Sequence, residues 1–287
     1  MTGRRRPLLL AGPTSAFLMT ETPLEAILKR DRSVVLAGLI ILVVFAWAYL
    51  FLQARDMSSM MQYCAVMGRE MVMAQAEPWR SGDIAMIFVM WSVMMVAMMV
   101  PSASPMLLIF ASTNRRRREL HRPFVPTFVF LLGYLVVWTA FSVLTTLAQW
   151  GLHSAALISP MMESTNPVLS GVLLVAAGLF QWSPLKGTCL AHCRSPLAFI
   201  STQWQDGMYG AFVMGVRHGL YCLGCCWALM CLLFVLGVMN LLWIAVIAVF
   251  VLVEKVVPAK AHWWVGRAAG IVLAAWGIWM LAAGSAL

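Results

Sequence analysis

An all-α fold, a polytopic bundle of membrane-spanning helices, follows from three features of the 287-residue chain. Hydrophobic residues make up 62% of it and charged ones only 11%, whereas about a quarter of the residues in water-soluble domains are charged. Seven apolar runs recur along it, most of them near the roughly 20 residues that cross a hydrocarbon core. Basic residues gather between alternate runs, as the positive-inside rule requires. One integral membrane domain, 34–287, therefore follows an N-terminal segment, 1–33, with no internal repeat and no soluble domain between the runs.

The opening MTGRRRPLLLAGPTSAFLM imitates a signal peptide. Pro, Thr and Ser interrupt its apolar run and no clear cleavage site follows, so it reads as a cytoplasmic tail. Thr22-Pro23-Leu24-Glu25 has the form of a capping box with proline at the first helical position, and starts a short amphipathic helix. The runs are Val34–Leu52, Ile84–Pro101, Phe128–Leu147, Val168–Trp182, Gly219–Val238, Leu241–Val253 and Ala268–Ala283. The one from Leu241 is short and the one from Val168 marginal, so six spans is the alternative count.

With the N-terminus inside, Arg4–Arg6, Lys29–Arg32, Arg115–Arg118, Arg122, Lys186, Arg194, Lys255, Lys260 and Arg267 fall on the cytoplasmic side, and Arg55, Arg69 and Arg80 outside. The net charge of +9 then reports topology and contact with the lipid bilayer, not a nucleic-acid partner. The cluster NRRRREL, Asn114–Leu120, reads as an anchor against anionic head groups.

Of 22 methionines, twelve lie between Met57 and Met99. The outer connection, 53–83, is Met-rich, and the second run continues the theme with Met90, Met94, Met95, Met98 and Met99. Methionine is a common gap-filler inside a bundle, but a water-exposed connection gains little from thioethers. Soft sulfur ligands select Cu(I), and MxxM and MxxxM spacings bring two sulfurs to one helical face. Pro101 and Pro105 each remove a backbone donor, which predicts a kink or an unwound turn there. Asp83, at the start of the run, is placed to cap it and to meet its dipole.

Seven cysteines stand at positions 64, 189, 193, 222, 225, 226 and 231, six of them on the cytoplasmic or membrane side, where reduced thiols are expected. At about 100° per residue, His218, Cys222 and Cys225 fall within roughly 60° of one another, with Cys226 slightly further round and Cys231 pointing away. A single buried cysteine is an ordinary small hydrophobe, whereas a histidine and three cysteines on one helical face form a candidate metal or redox site. Gly215, Gly219 and Gly224 would let another helix, such as the second run, approach closely. Arg217 sets the depth: a span beginning near Gly210 places the thiols near midplane, whereas Arg217 at the interface, which agrees better with the charge rule, places them in the inner leaflet beside Cys189, Cys193 and His192 of TCLAHC.

The blocks MWSVMMVAMMVPSASPM, LFQWSPLKGTCLAHCRSP and GVRHGLYCLGCCWALM, followed by GVMN and VEK, resemble the bacterial predicted metal-binding integral membrane protein family. This is a domain-of-unknown-function family in which some members are copper chaperones. The resemblance implies metal binding, copper in some members, and no particular mechanism. It also implies a bacterial plasma (inner) membrane setting.

The preferred reading is Cu(I) capture and transfer. The outer methionines receive the ion, Met90–Met99 conduct or hold it, and His218, Cys222, Cys225, Cys226, Cys189 and Cys193 bind it. The metal ion then passes to a recipient cuproenzyme or a periplasmic copper protein. Zinc suits a Cys/His set but not a dozen methionines.

This is the pattern of an ion handler more than of an enzyme. Two enzymatic alternatives stay open: a CxxC thiol-disulfide oxidoreductase at Cys222 and Cys225, or a copper-dependent oxidoreductase. A proton-coupled solute transporter is disfavoured by the scarcity of intramembrane acids, since Glu254 reads as a cap or an ion pair with Lys255. No nucleotide-binding motif is present.

Overall fold

The structure, a computed structural model, describes residues 23–66, 79–119, 125–155, 157, 166–257 and 259–284. Regular structure among them is helical throughout: α1 (Pro23–Val66), α2 (Ser81–Glu119), α3 (Thr127–Ser154), α4 (Pro167–Phe180), α5 (Pro184–Arg194), α6 (Pro196–Gln203), α7 (Gly207–Cys231), α8 (Leu233–Leu236), α9 (Leu241–Val256) and α10 (Ala259–Gly284). Each boundary has a local cause. Asn166 caps α4, its Oδ1 accepting from the Val168 and Leu169 N–H groups. Ser183 caps α5 ahead of Pro184 in the same way. Gly237, at φ 90°, turns the chain from α8 into α9.

Among the described residues, five segments are long and apolar enough to cross a membrane: Ser33–Ser59, Ser81–Arg117, Thr127–Ser154, Gly207–Leu236 and Trp264–Ala283. The pair α4 and α5, bent by 62° at a short break, makes a sixth if it forms one span. The run from Leu241 forms α9, whose 16 residues reach about 24 Å, short of a hydrocarbon core of about 30 Å. Large apolar side chains such as Phe45, Leu144 and Trp279 face outward on these helices. That distribution is unfavourable in water and natural in lipid, so the protein is a membrane protein.

Two sequence expectations change. The short N-terminal helix and the first span are one helix of 44 residues beginning at Pro23. That helix also takes up residues 53–66 of the outer connection, because QARDMSSMMQYCAV contains neither Gly nor Pro to stop it. Met57 therefore stands on α1. The tail 1–22 and the methionines Met67, Met71 and Met73 lie outside the described residues.

The unwound turn expected at Pro101 and Pro105 is not found, and α2 runs through both. Pro105 cannot donate to the Pro101 carbonyl, and the Ser104 hydroxyl does so instead at 2.8 Å. Asp83 caps α2 as expected, its Oδ2 accepting from the Arg80 N–H at 2.9 Å.

The bundle centre lies among α2, α3 and α7, where Trp91, Trp138, Tyr134, Phe110 and Phe130 are almost fully buried. Small residues set the spacing. A Cβ at Gly215 would stand 2.1 Å from the Phe130 carbonyl oxygen, and one at Gly133 would stand 2.2 Å from that of Phe212, so α3 and α7 meet backbone to backbone. Gly215 and Gly219 thus receive α3 and not α2, while Gly224 receives the Cys189 side chain of α5. A second close pair, α4 with α10, crosses at Gly171, Gly178, Gly270 and Gly277.

Candidate metal centre

α7 runs unbroken past Arg217, which is exposed, and turns His218, Cys222, Cys225 and Cys226 inward, each at most 2% accessible. The helical phase expected for these four is therefore present. The Cys225 and Cys226 thiols donate to the Cys222 carbonyl, at 3.1 and 2.9 Å. Cys226 also reaches across to α2, its Sγ standing 3.9 Å from the Met99 Sδ. Cys193, buried on α5, lies on the side of the Cys222 and Cys225 thiols. Cys189, a turn earlier, lies against Gly224.

Cys222 Sγ is the hub. The Tyr134 hydroxyl lies 3.1 Å from it, and the Lys255 ammonium of α9 donates to it at 3.0 Å and to the Ser102 hydroxyl at 2.8 Å. The Tyr134 hydroxyl also lies 3.1 Å from the Met99 carbonyl oxygen. Side chains of α3 and α9 thus meet the Cys222 sulfur of α7, and each also bonds α2, at the Met99 carbonyl and the Ser102 hydroxyl, with α5 closing the end that carries the basic residues. Met90, Met94, Met95, Met98 and Met99 are all buried to within 1% and extend this sulfur-rich core along α2.

Not every candidate joins the hub. The His218 ring packs among Phe130, Tyr134 and Phe199, with centroids 5.6–6.0 Å away, and its Nδ1 has no hydrogen-bond partner. His192 stacks flat on Tyr221 at 4.2 Å, its Nδ1 paired with the Thr188 carbonyl. Among the described residues, no group of three or more His, Cys, Asp and Glu side chains stands at metal-holding distances. The reason is visible in the hydrogen bonds: two thiols are turned back onto their own helix, and an ammonium occupies the space beside the third sulfur. Cys189, Cys193, Cys222, Cys225, Cys226 and Cys231 are all free.

Lys255, Tyr134 and Ser102 are the polar members that the sequence alone does not single out. The expected pairing of Glu254 with Lys255 is corrected. Glu254 bonds Lys186 of α5, at 2.7 and 2.8 Å, and both are about 97% buried. Lys186 also donates to Gln181 Oε1. Successive residues on a helix point about 100° apart, so Glu254 and Lys255 cannot share a partner and serve two sites. The arginine cluster is likewise partly internal, with Arg117 lying over the Trp204 ring at 4.7 Å and pairing with Asp206.

Fold and site together define a class of polytopic helical membrane proteins whose buried core brings thiols, a thioether and an ammonium close together, the kind of soft-donor setting that suits Cu(I). Within that class the chain belongs to the copper chaperone family PpoB2, whose sequence model matches residues 88–280. The match contains every residue of the centre from Met90 to Lys255. No curated protein and no solved structure matches the chain.

Proposed function

We propose that the protein receives Cu(I) along the buried methionines of α2 and holds it at a centre formed by Cys222, Cys225, Cys226 and Cys193 with the Met99 thioether. From there it would deliver the ion to a recipient cuproenzyme. The observation that carries this reading is a buried cluster of thiols from α5 and α7, with the Met99 thioether of α2 lying 3.9 Å from the Cys226 sulfur. Thiolates hold either Cu(I) or Zn(II), and it is the added thioether, a soft donor, that favours Cu(I).

Loading replaces one cation by another: the ion takes the position of the Lys255 ammonium beside Cys222, and the Cys225 and Cys226 thiols rotate off the Cys222 carbonyl. His218 and Cys189 flank the set, and Met90, Met94, Met95 and Met98 form the approach. The Met-rich stretch after the first span would capture the ion on the outer side of a bacterial inner membrane, with the N-terminus and the basic end of the bundle cytoplasmic.

Anaerobic loading followed by mass-spectrometric metal analysis tests the centre. The Cys222→Ser, Cys225→Ser, Cys226→Ser triple variant is expected to fall from stoichiometric copper to background. Unchanged stoichiometric copper in the folded triple variant would remove these thiols from the reading.

A second reading is favoured by one contact. An ammonium 3.0 Å from Cys222 Sγ is the environment that activates a CxxC nucleophile. Against it, Cys222 and Cys225 are at most 2% accessible, so a substrate disulfide has no approach. Thiol trapping separates the two: an oxidoreductase cycles through a Cys222–Cys225 disulfide, whereas a Cu(I) centre keeps both thiols reduced and metal-protected.

A further inference from the structure

Among the thiols around the centre, Cys189 alone is half-buried, whereas Cys193, Cys222, Cys225 and Cys226 are buried. Its sulfur would stand 2.7 Å from a Cβ at Gly224, so it rests on the α7 backbone next to Cys225. One turn along α5, Cys193 is buried on the side of Cys222 and Cys225. The thiols therefore form a graded series, from a half-exposed position on α5 through Cys193 and Cys225 to the fully buried Cys222. Around Cys189 the outward surface of α5 includes Gly187, Thr188 and Ala191, all exposed and small, with the exposed Leu185 one turn away.

A fully buried ligand set cannot be attacked by another protein's sulfur, and ligand exchange at Cu(I) proceeds by gaining an incoming sulfur before losing an old one. We infer that Cys189 is the hand-off ligand, the thiol through which the ion leaves the centre for a partner that presents sulfur ligands at the exposed face of α5. This rests on the reading that the centre holds Cu(I). No electron moves in the exchange. Copper stays Cu(I), the partner's thiol gives up its proton as its bond to copper forms, and the Cys189 thiolate takes up a proton as its own bond to copper breaks.

The test uses the full-length protein loaded anaerobically with Cu(I). Bound copper is measured at equilibrium, and the rate of transfer to bathocuproine disulfonate is followed by absorbance. Cys189→Ser and Cys189→Ala are expected to keep the parent's copper content and to release it about tenfold more slowly, the effect appearing in the rate and not in the occupancy. Cys231→Ser, a partly exposed thiol elsewhere on α7, is expected to behave as the parent.

A release rate for the Cys189 variants equal to the parent's overturns the hand-off role while leaving the centre intact. A proportionate loss of bound copper overturns it too, because Cys189 would then be one of the holding ligands. Absence of copper from the parent itself overturns the reading beneath it and the inference together.

Discussion

Glu254→Ala is expected to lower stability by about 3 kcal/mol, because it leaves the Lys186 ammonium buried without its anion. The wild-type carboxylate accepts from Lys186 at both oxygens, at 2.7 and 2.8 Å, and both side chains are nearly inaccessible. Removing one partner of a buried pair typically costs about 3–5 kcal/mol. The lower end applies here, since a cavity of about 240 Å³ lined by Gln181, Ser183, Lys186, Glu254 and Arg267 gives water room at the bridge. Replacing both members, as Lys186→Met with Glu254→Leu, removes the unpaired charge and is expected to restore most of the loss. Reversible unfolding in mixed detergent micelles measures all three chains, and a Glu254→Ala protein as stable as the parent would refute the buried-bridge account.

Gly215→Ala and Gly38→Ala are expected to move stability in opposite directions. At Gly215 an added methyl meets the Phe130 carbonyl oxygen at 2.1 Å and its carbon at 2.9 Å. Both are backbone atoms, so α3 and α7 must separate, and overpacking of this kind costs about 1–3 kcal/mol. At Gly38, on the exposed face of α1, nothing lies within 4 Å, and alanine gains about 0.5–1 kcal/mol of helix propensity.

The Gly215 change also reaches the sulfur centre. Tyr134 rides on α3 and brings its hydroxyl to Cys222 on α7, so separating the helices opens that contact. Weaker copper retention should therefore accompany lower stability at Gly215 and not at Gly38. Equal effects at the two positions would contradict the close crossing of α3 and α7.

Much of this fold is legible in the sequence, because lipid leaves the backbone few options and marks each span by its apolar length. Helix ends are less legible. The outer polarity of residues 53–66 suggests a connection, yet the stretch lacks a helix breaker and α1 continues through it. The prolines of α2 suggest an interruption, yet a serine one residue before Pro105 supplies the missing donor.

The cluster of Cys222, Cys225 and Cys226 is legible for a simple reason: the three share a helix, so their phase is fixed by position alone. The phase argument also carries His218 to that face, but it cannot know that Phe130, Tyr134 and Phe199 surround the ring. Tyr134, Ser102 and Lys255 come from three other helices, and only tertiary packing brings Tyr134 and Lys255 to Cys222 and Ser102 to Lys255. Lys255 is further disguised, since a lysine at the end of an apolar run has the ordinary look of a topology marker.

The order of residues at the end of α9 carries a consequence of its own. Glu254 turns to the Lys186 ammonium and Lys255 to the Cys222 sulfur, about 100° apart on the same helical turn. Exchanging the two letters would preserve composition, net charge and hydropathy. It would nevertheless set ammonium against ammonium on one flank and carboxylate against sulfur on the other. Glu-Lys and Lys-Glu, interchangeable to any measure that only counts residues, are here as different as a lock and its mirror image.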